Sequence, residues 1–130
     1  MSTSESLKNA MVVTADEAVD REEISSVLTK VGFEILPSPG GPLALDRHDK
    51  RRPVDLVVID ASALKVKPSE IAERAHQISP RVLFLSDGKG EQPPSNERGH
   101  VSGILSKPFR RAQLLGRVLE LMDTSLARSA

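Results

Sequence analysis

Apolar residues in this chain fall into short blocks, and the spacing within a block changes along the sequence. "AMVVT" at 10–14 is an unbroken apolar run, the pattern of a short strand. From Asp20 the spacing lengthens: Ile24, Val27, Leu28 and Val31 fall at i, i+3, i+4 and i+7, one face of a helix. Asp20 is placed to cap that helix. Glu22 and Glu23 stand in its first turn, where carboxylates suit the positive end of the helix dipole, and Gly32 is placed to end it. "FEIL" at 33–36 reads as a second strand and "PSPGGP" at 37–42 as a loop. A short helix over roughly 42–50 follows, with Leu43 and Ala44 inward. "DRHDKRR" at 46–52 reads as its solvated end.

"VDLVVID" at 54–60 is the third strand. Its run from Leu56 to Ile59 is apolar without alternation, as expected of a strand covered on both faces. "PSEIAERAHQI" at 68–78 is an amphipathic helix opened by Pro68 or Ser69 and closed by Pro80. "RVLFLS" at 81–86 is the fourth strand. The Gly- and Pro-rich stretch 87–103 leaves room for a short helix at most, and "GILS" at 103–106 is the fifth strand. A last helix over roughly 110–126 carries Leu114, Leu115, Val118, Leu119 and Met122, a stripe read mainly as core. Strands alternating with helices at this spacing predict right-handed crossovers and a mostly parallel sheet covered on both faces.

Composition narrows the class. The 130 residues fit one domain with an adequate core. There is no cysteine, so neither a disulfide nor a thiolate is available. Lys plus Arg and Asp plus Glu number 18 each, a balance that does not point to nucleic acid. No apolar run approaches the roughly 18 residues of a membrane span, and "MSTSESLKN" lacks the pattern of a secretion signal. The chain is therefore expected to be cytoplasmic, touching neither membrane nor nucleic acid directly. With three Phe and neither Trp nor Tyr, the core is aliphatic and stacking on bases is not expected. His48, His76 and His100 lack metal-ligand spacing and read as surface residues.

The chemistry gathers where strands end. In an open α/β sheet, functional groups collect beyond the carboxyl ends of the strands. Asp16 and Glu17 follow the first strand, Asp60 ends the third, Ser86 ends the fourth, and Lys107 follows the fifth. Taken alone, Asp60 reads as a turn residue; taken with the others it reads as part of a phosphoryl-transfer site. A carboxylate can attack phosphorus and form an acyl phosphate. A hard divalent cation would take Asp16, Glu17 and Asp60 as oxygen ligands. Lys107 would pair with phosphoryl oxygens as a point charge, and Ser86 would hydrogen-bond one of them.

In order and spacing, "DREEISSVLTKVGFEIL", "PVDLVVID", "VLFLS" and "GILSKPF" resemble the receiver domain of two-component response regulators over residues 10–123. The resemblance implies a flavodoxin-like (βα)5 doubly wound sandwich: a five-stranded parallel sheet in order 2-1-3-4-5, here with a short or irregular fourth helix. Residues 1–9 would be a polar lead-in and 124–130 a tail. It implies Asp60 as phosphoacceptor, Lys107 as the phosphate-pairing lysine and Ser86 as the hydroxyl that follows the phosphoryl group. Mg2+ would be held by Asp16, Asp60, the backbone carbonyl of Ser62 and, weakly, Glu17. The Lys107–Pro108 bond would be cis. Expected partners are a histidine kinase or phosphotransfer protein and a downstream protein. A homodimer would form through the face of the fourth helix, fifth strand and last helix, and the outer residues of the last helix, including Arg110, Arg111 and Arg117, would add a partner or dimer surface. Phosphoryl acceptance would be self-catalysed, with slow autodephosphorylation and no enzymatic turnover beyond it.

The sequence also departs from that pattern. Ala15 stands where the first of two adjacent acids is usual, with Asp16 at the second. Leu64 replaces a proline, Asp87 follows Ser86 where a small residue is usual, and Ile104 takes the aromatic switch position. A pseudo-receiver, binding its partner without phosphorylation, is the alternative. A nucleotide-using enzyme is more remote, because no G-x-G-x-x-G loop follows the first strand.

Overall fold

The computed structural model describes residues 8–14, 20–36, 45, 54–60, 68–86, 101–107 and 109–123. Its strands are β1 (Lys8–Val13), β2 (Phe33–Ile35), β3 (Leu56–Asp60), β4 (Arg81–Ser86) and β5 (Val101–Ser106); its helices are α1 (Asp20–Lys30), α2 (Pro68–His76) and α3 (Arg111–Asp123). The strands form one parallel sheet in the order β2-β1-β3-β4-β5, which is the order expected. The direction of winding reverses between β1 and β3, so the crevice at their carboxyl ends is the natural place for a site.

Strand alternation sorts the core into two layers. Ala10, Val12, Leu56, Val58, Leu83 and Leu85 face α1 and α3, where Ile24, Val27, Leu28, Leu114, Val118 and Leu121 cover them. Met11, Val13, Val57, Ile59, Val82 and Phe84 face the other way, against Ile71, Ala72 and Ala75 of α2 and against Leu45. Every residue of β3 is buried, which accounts for its unalternating sequence: both faces need apolar side chains.

Backbone partners set the ends of the elements. Gly32 ends α1 in the left-handed region (φ 98°), which a residue with a Cβ rarely adopts. The N–H of Gly32 donates to the Thr29 carbonyl, and its own carbonyl accepts from Lys8 N at 3.2 Å. The helix stop is thus also the start of β1–β2 pairing. For the same reason β1 begins at Lys8, two residues before the apolar run: Lys8 and Asn9 pair with Phe33 and Glu34. At the amino end of β3, Asp55 exchanges backbone pairing with Asn9, donating from its N–H to the Asn9 carbonyl (2.9 Å). Its carboxylate accepts from the Asn9 N–H at 2.8 Å. β5 likewise begins at Val101, ahead of "GILS", because Arg81 and Val82 of β4 offer it partners.

Two helices, α1 and α2, are shorter than their periodicity suggested. Val31 lies in the turn after α1, and α2 stops at His76, whose half-buried ring places Nδ1 3.3 Å from the Ser79 carbonyl. In α3 the inward residues are Leu114, Val118 and Leu121, with Leu115 and Met122 at the margin. Leu119, expected in the core, is 51% exposed, and Leu121 takes its place. The helix over 42–50 apart from buried Leu45, the fourth-helix region, residues 124–126 and the capping side chain of Asp20 lie outside the described residues. So do the Lys107–Pro108 geometry, Leu64, Asp87, His48 and His100. No helix among the described residues is long and apolar enough to cross a membrane.

Candidate functional site

Asp60 is the last residue of β3, the central strand beside the winding reversal, and it is 1% exposed. Its backbone register puts it beside Leu85, and the alternation that turns Leu56 and Val58 toward α1 and α3 turns Asp60 the same way. An ionised carboxylate in such a place requires a compensating charge. Lys107 supplies it. Its Nζ donates to Asp60 Oδ2 at 2.9 Å and to Oδ1 at 3.1 Å, so one ammonium engages both oxygens. The lysine side chain keeps 24% of its surface exposed, against 2% for that of Asp60.

The chain brings these groups together across a strand. β5 is two strands from β3, about 10 Å away at ordinary sheet spacing. The Lys107 N–H extends the β4–β5 pairing by one bond, donating to the Ser86 carbonyl at 2.7 Å. That fixes the backbone of Lys107 just past the end of β4, and the long side chain spans the remaining gap. Ser86 therefore contributes through its carbonyl to where Lys107 stands. Its hydroxyl sits on a half-buried residue in line with Val82 and Phe84, the opposite face from Asp60 by strand alternation. Ile104 is partly buried and packs on the α2 side, an aliphatic filler without a hydroxyl.

Thr14 was read from the sequence only as a strand residue, yet it belongs to this edge. It is fully buried and follows Val13, which pairs with Ile59, so the next step along both strands sets Thr14 beside Asp60. Its even position shares a face with Ala10 and Val12, as Asp60 does with Leu56 and Val58. The sequence signal was there: a short hydroxyl residue where an apolar strand gives way to acids.

Of the expected metal ligands, the described residues include one, Asp60. Asp16, Glu17 and Ser62, like Ala15, lie outside them. Among the described residues, no cluster of three or more His, Asp or Glu groups is assembled for a metal. The donor set as a whole, carboxylates and a backbone carbonyl, is hard oxygen and suits Mg2+ by its chemistry.

No protein-family model matches this chain, and no curated protein sequence matches it. Solved structures do. The N-terminal domain of a response regulator/sensory box/GGDEF three-domain protein from Carboxydothermus hydrogenoformans is 20% identical. The match covers 95% of this chain and all of that one, with a TM-score of 0.70. A response regulator receiver protein from Sinorhizobium medicae is 24% identical over 90% of this chain and 96% of its own, with a TM-score of 0.63. The receiver domain of a sensor histidine kinase from Pseudomonas aeruginosa, solved with a magnesium ion coordinated in its active-site cleft, is 14% identical. That match covers 90% of this chain and 99% of the other, with a TM-score of 0.64. The fold of this chain is that of a response-regulator receiver domain.

Proposed function

We propose that this protein is a receiver in a phosphorelay: it accepts a phosphoryl group on Asp60 from a histidine kinase or phosphotransfer protein and signals through protein contacts. The observation that carries the reading is the Lys107 ammonium on both oxygens of the buried Asp60, at the winding reversal of a receiver fold. In the reaction an Asp60 oxygen attacks phosphorus, a P–O bond forms, and the P–N bond to the donor imidazole breaks with its electron pair leaving on nitrogen. Lys107 moves from the free carboxylate to the new phosphoryl oxygens and keeps its charge compensated throughout. Water later hydrolyses the acyl phosphate slowly, returning the carboxylate.

Mg2+ would be held by Asp60, Asp16 and the Ser62 carbonyl, with Glu17 as a weaker ligand, and when bound it would neutralise charge on the phosphoryl oxygens. The magnesium seen in the Pseudomonas aeruginosa receiver supports this expectation. The relay role also fits a cytoplasmic setting and output through a protein partner.

A second reading is a pseudo-receiver. Ala15 in the usual place of an acid, Asp87 beside the switch hydroxyl and an aliphatic Ile104 in the switch position all favour it. One experiment separates the two: incubation with acetyl phosphate or phosphoramidate, with and without Mg2+, read by intact mass on wild type and Asp60→Asn. A magnesium-dependent gain of one phosphoryl group, lost in the variant, is the expected result. Its absence at saturating donor leaves the pseudo-receiver standing, and Asp60→Ala would then keep full partner binding. A thermal shift with nucleotides, expected to be nil, closes off the nucleotide-enzyme reading.

A further inference from the structure

Among the described residues, the sheet neighbours of Asp60 on its own face are Val58 before it on β3, Leu85 beside it on β4 and Thr14 beside it at the end of β1. Val58 and Leu85 are apolar. Thr14 is therefore the one that brings a side-chain donor from an adjoining position, about 4.8 Å away at ordinary strand spacing. Lys107 reaches in from β5, two strands off.

Thr14 is fully buried. A valine of the same shape would fill that slot, as Val12 and Val13 fill theirs, and would bury no polar atom. Among the described residues no buried side-chain oxygen lacks a hydrogen-bond partner, so this hydroxyl is already engaged. A hydroxyl has one donor and two acceptor positions and turns about its C–O bond, so it can meet a new acceptor without moving the strand.

With Asp60 as the phosphoacceptor, on which all that follows rests, phosphoryl transfer creates that acceptor. One Asp60 oxygen becomes the bridge to phosphorus and Lys107 follows the charge to the phosphoryl oxygens. The other oxygen becomes the acyl carbonyl. It loses the ammonium that engages it at rest, yet it stays on a residue that is 1% exposed. A buried acceptor that loses its donor is destabilising. We infer that the Thr14 hydroxyl takes over this oxygen and thereby sets the lifetime of the phosphorylated state. A carbonyl oxygen has two lone pairs, so a cation held by Asp60 can share it with the hydroxyl.

The breakdown step fixes the sign of the effect. Water attacks phosphorus, a bond to the water oxygen forms, and the P–O bond to Asp60 breaks with its electron pair returning to the carboxylate. Both water protons leave on inorganic phosphate. Negative charge grows on the acyl oxygen as that bond breaks, so a donor aimed at it binds the transition state more strongly than the acyl phosphate. Thr14 therefore shortens the lifetime. Loss of the hydroxyl should lengthen it, whereas looser packing around Asp60 would admit water and shorten it. A donor and a mere space-filler thus predict opposite signs.

Decay of the phosphorylated full chain tests this. Wild type, Thr14→Val and Thr14→Ser are charged with phosphoramidate at saturating Mg2+, freed of donor and followed by intact mass. Thr14→Val should hold its phosphoryl group about three- to tenfold longer than wild type, the factor expected of one neutral hydrogen bond, and Thr14→Ser should decay as wild type does. In infrared difference spectra between charged and resting protein, the acyl C=O stretch should lie at higher wavenumber in Thr14→Val and be unmoved in Thr14→Ser. Should valine disturb folding, Thr14→Ala set against Thr14→Ser gives the same comparison, since both lack the methyl and only one lacks the hydroxyl. A labelled wild type whose decay is unchanged or faster in Thr14→Val overturns the role of Thr14 and leaves Asp60 as phosphoacceptor. No label on wild type overturns both.

Discussion

α1 and α3 cover the same face of the same sheet, yet they differ in how much of their sequence the monomer explains. In α1 the inward residues Ile24, Val27 and Leu28 are buried, acids lead, Lys30 closes, and a glycine ends the helix where a positive φ requires one. In α3 the inward residues Leu114, Val118 and Leu121 are equally buried, but arginines lead, acids close, the glycine stands mid-helix and a leucine faces out. Their cores follow one rule and their surfaces two. A surface that contradicts its own helix is the better place to look for an outside demand.

Paired substitutions, measured by denaturant unfolding in dilution, sharpen that contrast. The largest effect should be the same in both helices: Ile24→Ala and Leu114→Ala should each cost about 2–5 kcal/mol, because each side chain is fully buried in one layer. Unequal losses beyond that range would mean that one helix is less firmly docked. The glycines should then part company. Gly32→Ala should destabilise by about 1–2 kcal/mol, as alanine is strained at φ 98°, whereas Gly116→Ala should stabilise the monomer by about 0.5–1 kcal/mol. The smallest pair is electrostatic. Glu22→Lys should lose about 0.5 kcal/mol and Arg110→Asp should gain about as much, both differences shrinking with added salt. Arg110 is well placed for this change: its carbonyl accepts the first helical bond from Leu114, and Gln113 Oε1 accepts from its N–H at 2.7 Å. Equal signs within either of these last two pairs would remove the contrast between the helices.

The same division between periodicity and placement runs through the candidate site. Asp60 and Lys107 were legible as strand-end residues because apolar runs of fixed length must end where the chain leaves the core. That one ammonium takes both carboxylate oxygens was not legible: it depends on the single extra backbone bond from Lys107 to Ser86. Thr14 escaped notice because a threonine suits a strand as well as a site, and only the pairing of Val13 with Ile59 sets it next to Asp60. Leu119 was misplaced for the opposite reason. A helix of this length offers more apolar positions than its buried stripe can use, and periodicity alone does not say which edge of the stripe meets the sheet.

By itself the sequence determined the alternation of strands and helices, the doubly covered central strand, the absence of thiol chemistry and the set of polar residues at the strand ends. These follow from local spacing and composition, which act within a few residues. Tertiary structure alone decided the strand register, the joining of Asp60 to Lys107 across β4, the burial of Thr14 and the exposure of Leu119. Each depends on which segments lie side by side, and that is set by simultaneous packing of both layers against one sheet, a condition no short stretch of sequence contains.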